Sequence, residues 1–329
     1  MKFNSSILTL LVAALSAGAS WGQLPVSPTS GIIQTALTAS KSNLVAIPFP
    51  KSIPFEGTVS SVAGSVITLS GVTLPTLSNH SIYIATDVDP SDATGAYGRV
   101  LRITANTATT VTVEAAITPE SGDEFQILEQ YTLETLLGTG NQATVQVLTG
   151  NSSGLSDIVY VESGGVFTGY WHDAGTALTD GWKTLVGTPA PNVSIPFGKG
   201  LLINRKAGTA RTLRVQGEAL TGRFRAQTAA SPAQNVVNNP FLVETPLIEA
   251  GLGVNPSAGS SALADLVYLE DAGTISGYWR KNNGNWYPIS DATGTGAAVT
   301  TAVKIKPGKA LLITDRNPNG VSFPQPFTE

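Results

Sequence analysis

From Phe55 onward, apolar and polar positions alternate in short runs. Glu56-Gly57-Thr58-Val59-Ser60-Ser61-Val62 leads into Ser65-Val66-Ile67-Thr68-Leu69, with Ala63-Gly64 between them, which predicts a hairpin. Further runs predict strands with one buried and one wet face: Ile82-Tyr83-Ile84, Arg99-Val100-Leu101-Arg102-Ile103, Thr110-Val111-Thr112-Val113-Glu114 and Phe125-Gln126-Ile127-Leu128. Six strands within residues 51–128 predict a small barrel or sandwich. Residues 23–50 carry Pro25, Pro28, Pro48 and Pro50 among Ser and Thr, and read as an extended leader with room for one edge strand.

The rest of the chain repeats itself. Asp157-Ile158-Val159-Tyr160-Val161-Glu162 returns as Asp265-Leu266-Val267-Tyr268-Leu269-Glu270, offset by 108. Gly169-Tyr170-Trp171 returns as Gly277-Tyr278-Trp279 at the same offset, and Trp182 has a counterpart in Trp286. Gly198-Lys199-Gly200-Leu201-Leu202-Ile203 returns as Gly308-Lys309-Ala310-Leu311-Leu312-Ile313, offset by 110. Leu133-Glu134-Thr135 matches Val243-Glu244-Thr245. Five blocks in one order predict two related modules, 129–238 and 239–329, of β-sandwich-like build with one short helix each. The fold class expected is therefore all-β. In the first copy the helix spans Thr132 to Leu137, with Thr132 as N-cap and Gly138 as stop. In the second, Asn283-Gly284 predicts a type I′ hairpin that pairs Lys281 with Trp286 and places Trp279, Lys281 and Trp286 on one face.

Composition narrows the function classes. Hydrophobic residues make up 42% of the 329 and charged residues 13%, enough apolar material for several cores. The net charge of −4 argues against a nucleic-acid partner. The absence of cysteine removes disulfides, thiolate zinc sites and cysteine nucleophiles. Lys2, the short apolar run Ile7 to Ala17 and the small residues Ala19, Ser20 and Gly22 read as a signal peptide over residues 1–22. That run is shorter than the ~20 residues a membrane span needs, so a secreted chain with no transmembrane segment after processing is expected.

Little in the sequence signals catalysis or a cofactor. His80 and His172 do not pair at metal-ligand spacing, and no Gly-x-Ser-x-Gly elbow occurs. The Gly-Lys blocks lack the upstream glycine of a phosphate loop and read as turns entering core strands. Asp87, Asp89 and Asp92 share one loop, but Pro90 and the spacing fit a solvated turn better than a calcium loop. No metal site and no catalytic residue are expected; a hydrolase would require distant carboxylates to meet in the fold. Basic residues gather at Arg205, Lys206, Arg211, Arg214, Arg223 and Arg225. They fit the wet face of a strand pair, or an anionic partner such as an envelope polysaccharide held through Arg214, Arg223 and Arg225. Trp171, Trp182, Trp279 and Trp286 recur in both copies, either as duplicated core or as platforms that stack on sugar rings.

The Thr132–Gly138 segment, the Asp157 and Asp265 strand starts, the Tyr-Trp pairs and the Gly-Lys-x-Leu-Leu-Ile blocks resemble an uncharacterised family of secreted β-rich bacterial proteins of the Verrucomicrobia type. The resemblance covers roughly residues 50–329 and implies an exported protein. Two functions are expected from residues and resemblance together. One is a non-catalytic structural or surface protein that acts by self-association or envelope contacts. The alternative is a carbohydrate-binding array that uses the repeated tryptophans.

Overall fold

The structure, a computed structural model, describes residues 30–86, 88, 96–139, 145–175, 181–206, 208–220, 224–226, 228–229, 233–316 and 321–323. The signal segment, the carboxylates of Asp87, Asp89 and Asp92, and Arg223 lie outside the described residues. The protein is nearly all β, with 47% strand and 2% helix.

Two strands come first, β1 (Ser30–Leu37) and β2 (Ser42–Val45). Six more follow: β3 (Ser52–Ala63), β4 (Val66–Ser70), β5 (His80–Ile84), β6 (Val100–Asn106), β7 (Thr110–Val113) and β8 (Glu124–Glu129). They close into a barrel in the order β3-β4-β7-β6-β5-β8. Its interior is Val59, Ile67, Ile82, Leu101, Val111, Phe125 and Ile127, the inward positions of the alternating runs.

The first large unit continues with α1 (Leu133–Leu137), β9 (Ile158–Ser163), β10 (Val166–Asp173), β11 (Gly181–Thr184), β12 (Leu201–Asn204) and β13 (Arg211–Glu218). The second contains β14 (Phe224–Ala226), β15 (Asn235–Val237), β16 (Thr245–Pro246), β17 (Leu266–Asp271), β18 (Thr274–Arg280), β19 (Trp286–Pro288), β20 (Lys304–Ile305), β21 (Leu311–Thr314) and β22 (Val321–Phe323). Each unit has one five-stranded sheet, ordered β11-β10-β9-β12-β2 in the first and β19-β18-β17-β21-β15 in the second. Registers agree as well. Tyr160 faces Gly169 and Leu202, as Tyr268 faces Gly277 and Leu312. A two-stranded ribbon accompanies each sheet, β1 with β13 and β14 with β22.

This topology corrects the expected boundaries. Residues 30–45 are not a leader, because β2 pairs with β12 and β1 pairs with β13 inside the first unit. Likewise β15 belongs to the second unit, through β21. The first unit is therefore discontinuous, and the barrel is inserted between β2 and α1. The insertion closes on itself where the Lys51 N–H donates to the Glu129 carbonyl at 2.9 Å.

Two local expectations also change. Among the described residues only the first unit has a helix. There Thr132 and Thr135 form a reciprocal cap, and the Leu136 N–H donates to Thr132 O at 2.9 Å. Pro246 stands at the position of Leu136 and has no N–H for that first helical bond, so the segment becomes the short strand β16. In the Asn283-Gly284 hairpin only Gly284 has positive φ (88°), and Lys281 N–H donates to Asn285 O at 2.9 Å. That is a three-residue loop rather than a type I′ turn, and it shifts the register by one, pairing Trp279 with Tyr287 and Arg280 with Trp286. Trp279 and Trp286 consequently face opposite sides of the sheet.

Candidate functional site: the groove on the β1/β13 ribbon

The repeated ionisable residues form the same bonds in both units. Asp157 is buried and accepts from Leu148 N–H at 2.8 Å and Lys206 N–H at 2.9 Å. Asp265 accepts from Asn255 N–H at 2.6 Å and Arg316 N–H at 2.7 Å. Each carboxylate thus ties the start of a strand to two distant segments. Five residues on, Glu162 accepts from Gly165 N–H at 2.6 Å and pairs with Lys199 at 2.7 Å. Glu270 accepts from Gly273 N–H at 2.6 Å and pairs with Lys309 at 2.5 Å. Both glutamate side chains have no solvent exposure. The Gly-Lys blocks are turns at Gly198 (φ 93°) and Gly308 (φ 73°) that aim a lysine at a buried glutamate. Arg205, expected with the other basic residues on the wet face of a strand pair, is 2% exposed and pairs with Asp157 at 2.8 Å.

The four repeated tryptophans are interior, with exposures of 5% for Trp171, 2% for Trp182, 0% for Trp279 and 3% for Trp286. Trp171 Nε1 donates to Thr184 O at 2.8 Å, Trp182 Nε1 to Gly138 O at 3.2 Å and Trp279 Nε1 to Asp291 O at 3.0 Å. Their large apolar area is therefore in the cores, with these polar edges satisfied, and none offers a ring face to solvent. The Trp286 side packs into the second unit's main core. Trp279 packs with Tyr287 on the other side, ring centroids 5.6 Å apart. Lys281 lies over Tyr287 rather than over Trp286, and its Nζ donates to Thr293 O and Gly294 O.

His172 and Asp173 point to opposite faces. His172 meets the edge of Trp182 at 5.4 Å, and Asp173 pairs with Lys183, whose ammonium lies 5.7 Å from the centre of the Trp171 ring.

Of the three candidate arginines, Arg214 and Arg225 lie on different surfaces. Arg225 is half-buried and its N–H donates to Gly98 O at 2.8 Å. It lines a cleft of 340 Å³ where the barrel meets both units, together with Lys199, Glu162, Phe197 and Phe224. Burial, and then the charge of Arg225, hold the neighbouring Arg99 guanidinium below its ordinary range.

Arg214 stands on the wet face of β13, and the burial pattern there is strict: Leu213 and Val215 inward, Thr212, Arg214 and Gln216 outward. Gln34 lies opposite Arg214, and Ile32, 58% exposed, lies opposite Gln216. This ribbon face is one side of a groove of 850 Å³, whose other side includes Lys51, Tyr131, Thr135, Leu136 and Gln146. Gln146 is locked in place: its Nε2 donates to Leu136 O at 2.6 Å and its Oε1 accepts the Arg214 N–H at 2.8 Å. Tyr131 OH donates to Gln216 O, and burial followed by the Glu129 charge raises its pKa. At the far end Glu218 accepts from Ile53 N–H at 2.8 Å, and Lys51 pairs with Glu129 at 2.5 Å. Burial pushes the Glu129 carboxyl up, but hydrogen bonds from Lys51 and Ser52 outweigh it and leave the group below the usual carboxylate range. Among the described residues, nothing accepts from the Arg214 guanidinium. The sequence signal for this groove is the alternation around Arg214, but the opposing wall comes from segments 68 to 163 residues away, beyond the reach of local pattern.

Fold and groove together define an all-β protein of two like-ordered units, with a barrel inserted in the first and a groove beside the wet face of its ribbon. Comparison with protein-family models, curated proteins and solved structures gives no match.

Proposed function

We propose that the chain is an exported, non-catalytic structural protein of the cell surface or extracellular matrix, built from a duplicated module and acting through protein or envelope contacts. The observation that carries this reading is the use of the repeated ionisable residues. Asp157 and Asp265, Glu162 and Glu270, and Lys199 and Lys309 hold backbone amides or one another in the same geometry twice. Groups committed in this way join strands, and duplication of the bonds is duplication of a scaffold. The signal-like N-terminus supports export.

Fractionation of cells that make the tagged protein, with mass spectrometry of its N-terminus, tests this. Recovery outside the cytoplasm with a start near Gln23 is the expected outcome. Cytoplasmic protein that retains Met1 would overturn the reading. A second reading, binding of a polysaccharide, is favoured by the groove lined by Arg214 and Gln216 rather than by the four repeated tryptophans, which have no exposed ring to stack.

A further inference from the structure

We infer that the groove on the β1/β13 ribbon binds a chain of an acidic polysaccharide, with Arg214 receiving a uronate carboxylate and the Gln216 amide receiving ring hydroxyls. This rests on the proposal that the protein works by surface contacts, and it names the chemistry of one such contact. The first support is shape. A groove of 850 Å³ beside the wet face of β13 has room for sugar rings.

The second support is the kind of side chain on its floor. Arg214 and Gln216 are planar polar groups on successive outward positions of β13, and both line the groove. Planar amides present a donor and an acceptor side by side, which suits neighbouring hydroxyls, and the guanidinium fork suits a carboxylate. Ile32, beside Gln216, supplies an apolar surface for the C–H face of a ring.

The third support is the distribution of charge. Lys51 is matched by Glu129. Glu218 lies four residues along β13 from Arg214, roughly 13 Å at the rise of an extended strand. The groove is therefore polarised, with an unmatched cation at the Arg214 end. That end has been set without cost to the scaffold: the Arg214 backbone N–H, not its guanidinium, makes the bond to Gln146.

The test is affinity electrophoresis and calorimetry of the full processed chain with polygalacturonate, at low and at moderate salt, with dextran as the neutral polymer. Binding to polygalacturonate that weakens with salt, and weak or no binding to dextran, is the expected result. Arg214→Gln should reduce the affinity about tenfold, the loss of one charge-assisted contact. Gln216→Ala should also weaken binding, and Arg225→Gln, on the separate cleft, should leave it unchanged. Thermal melts of the variants check that each is folded, and Arg214→Lys should recover only part of the affinity because the fork is lost.

No binding to polygalacturonate, equal binding to dextran, or an Arg214→Gln protein that binds like the parent would each overturn the inference. These failures are separable from failure of the functional reading. A surface-located protein that ignores the polymer keeps that reading and loses the groove. A cytoplasmic protein that binds it does the reverse.

Discussion

At the scale of single residues, the charges of the repeated blocks act inside the protein. Lys199→Met tests this directly. It leaves the Glu162 carboxylate, fully buried, with the Gly165 amide as its one partner among the described residues. Breaking one side of a buried pair costs ~3 kcal/mol, and replacing both sides by uncharged groups recovers much of it. Urea titration should therefore show Lys199→Met strongly destabilised and Lys199→Met with Glu162→Gln less so; a double variant no better than the single one would refute the pairing role. The tryptophans give a second test. Trp286→Ala should cost ~3–5 kcal/mol because the ring is buried in the main core of the second unit. An unchanged thermal midpoint would reject that assignment. The importance of these residues was legible in the sequence, since each recurs at a fixed offset. Their partners were not. Glu162 and Lys199 are 37 positions apart, and Arg205 shows the limit most clearly: it stands in a run of basic residues that reads as a wet strand face, yet it is interior and paired with Asp157.

At the scale of elements, alternation was a reliable guide in the barrel, where one face of each strand is interior and the period of two has a physical cause. All six strands fall where the pattern puts them. The helix also lies where its caps place it. The Asn283-Gly284 turn shows how a small error propagates. Asn-Gly favours a two-residue turn, but that requires positive φ at Asn283 as well as at Gly284. The three-residue loop leaves the left-handed conformation to glycine alone, avoiding ~1 kcal/mol of strain. One residue of register then moves every side chain of the returning strand to the other face. The junction of β3 and β8 carries a pH prediction. Glu129 is held below its ordinary range by Lys51 and Ser52, so its contribution to stability is present above the unfolded value of about 4.3. It is lost as pH falls through the lower folded value. With both partners partly exposed the effect is ~1 kcal/mol or less. The parent should lose more stability than Glu129→Gln between pH 5 and pH 3; parallel curves would show that the carboxylate is not coupled to folding.

At the scale of the whole molecule, the two units interlock through reciprocal bonds. Ala46 N–H donates to Gly308 O at 2.8 Å, and Asn238 N–H donates to Gly198 O at 2.9 Å. Gly200 N–H donates to Val236 O at 3.0 Å, and Ala310 N–H donates to Leu44 O at 3.3 Å. Leu44, Ala46, Val236 and Ala310 make a buried cluster between the sheets, so each unit gives the other the same edge and the same turn, as in a two-fold dimer. A Cβ on Gly200 would lie 2.5 Å from that of Ala310, which is why the seam needs glycine there. The sequence carries a trace of this arrangement. Asn43-Leu44-Val45-Ala46-Ile47-Pro48-Phe49 matches Asn235-Val236-Val237-Asn238-Asn239-Pro240-Phe241, at offset 192 instead of 108–110. Asn43 and Asn235 are both fully buried and bond the backbone of Thr38 and Ala229 in the same way. A search at constant offset misses the match because the barrel was inserted between β2 and α1, and the prolines around it read as a leader. The consequence is testable by excision. Lys51 and Glu129 are hydrogen-bonded neighbours at the start of an antiparallel pair, so a short Asn-Gly turn in place of residues 52–128 can close the first unit. The shortened chain should keep its β circular dichroism and unfold as one cooperative body. Its midpoint should be lower, because Tyr83, Val100 and Leu128 of the barrel pack into the core that contains Phe224 and Phe323. An excised chain that is unfolded would show that the barrel is a structural member of the first unit rather than an insertion, and two separate transitions would show that the reciprocal seam does not couple the units.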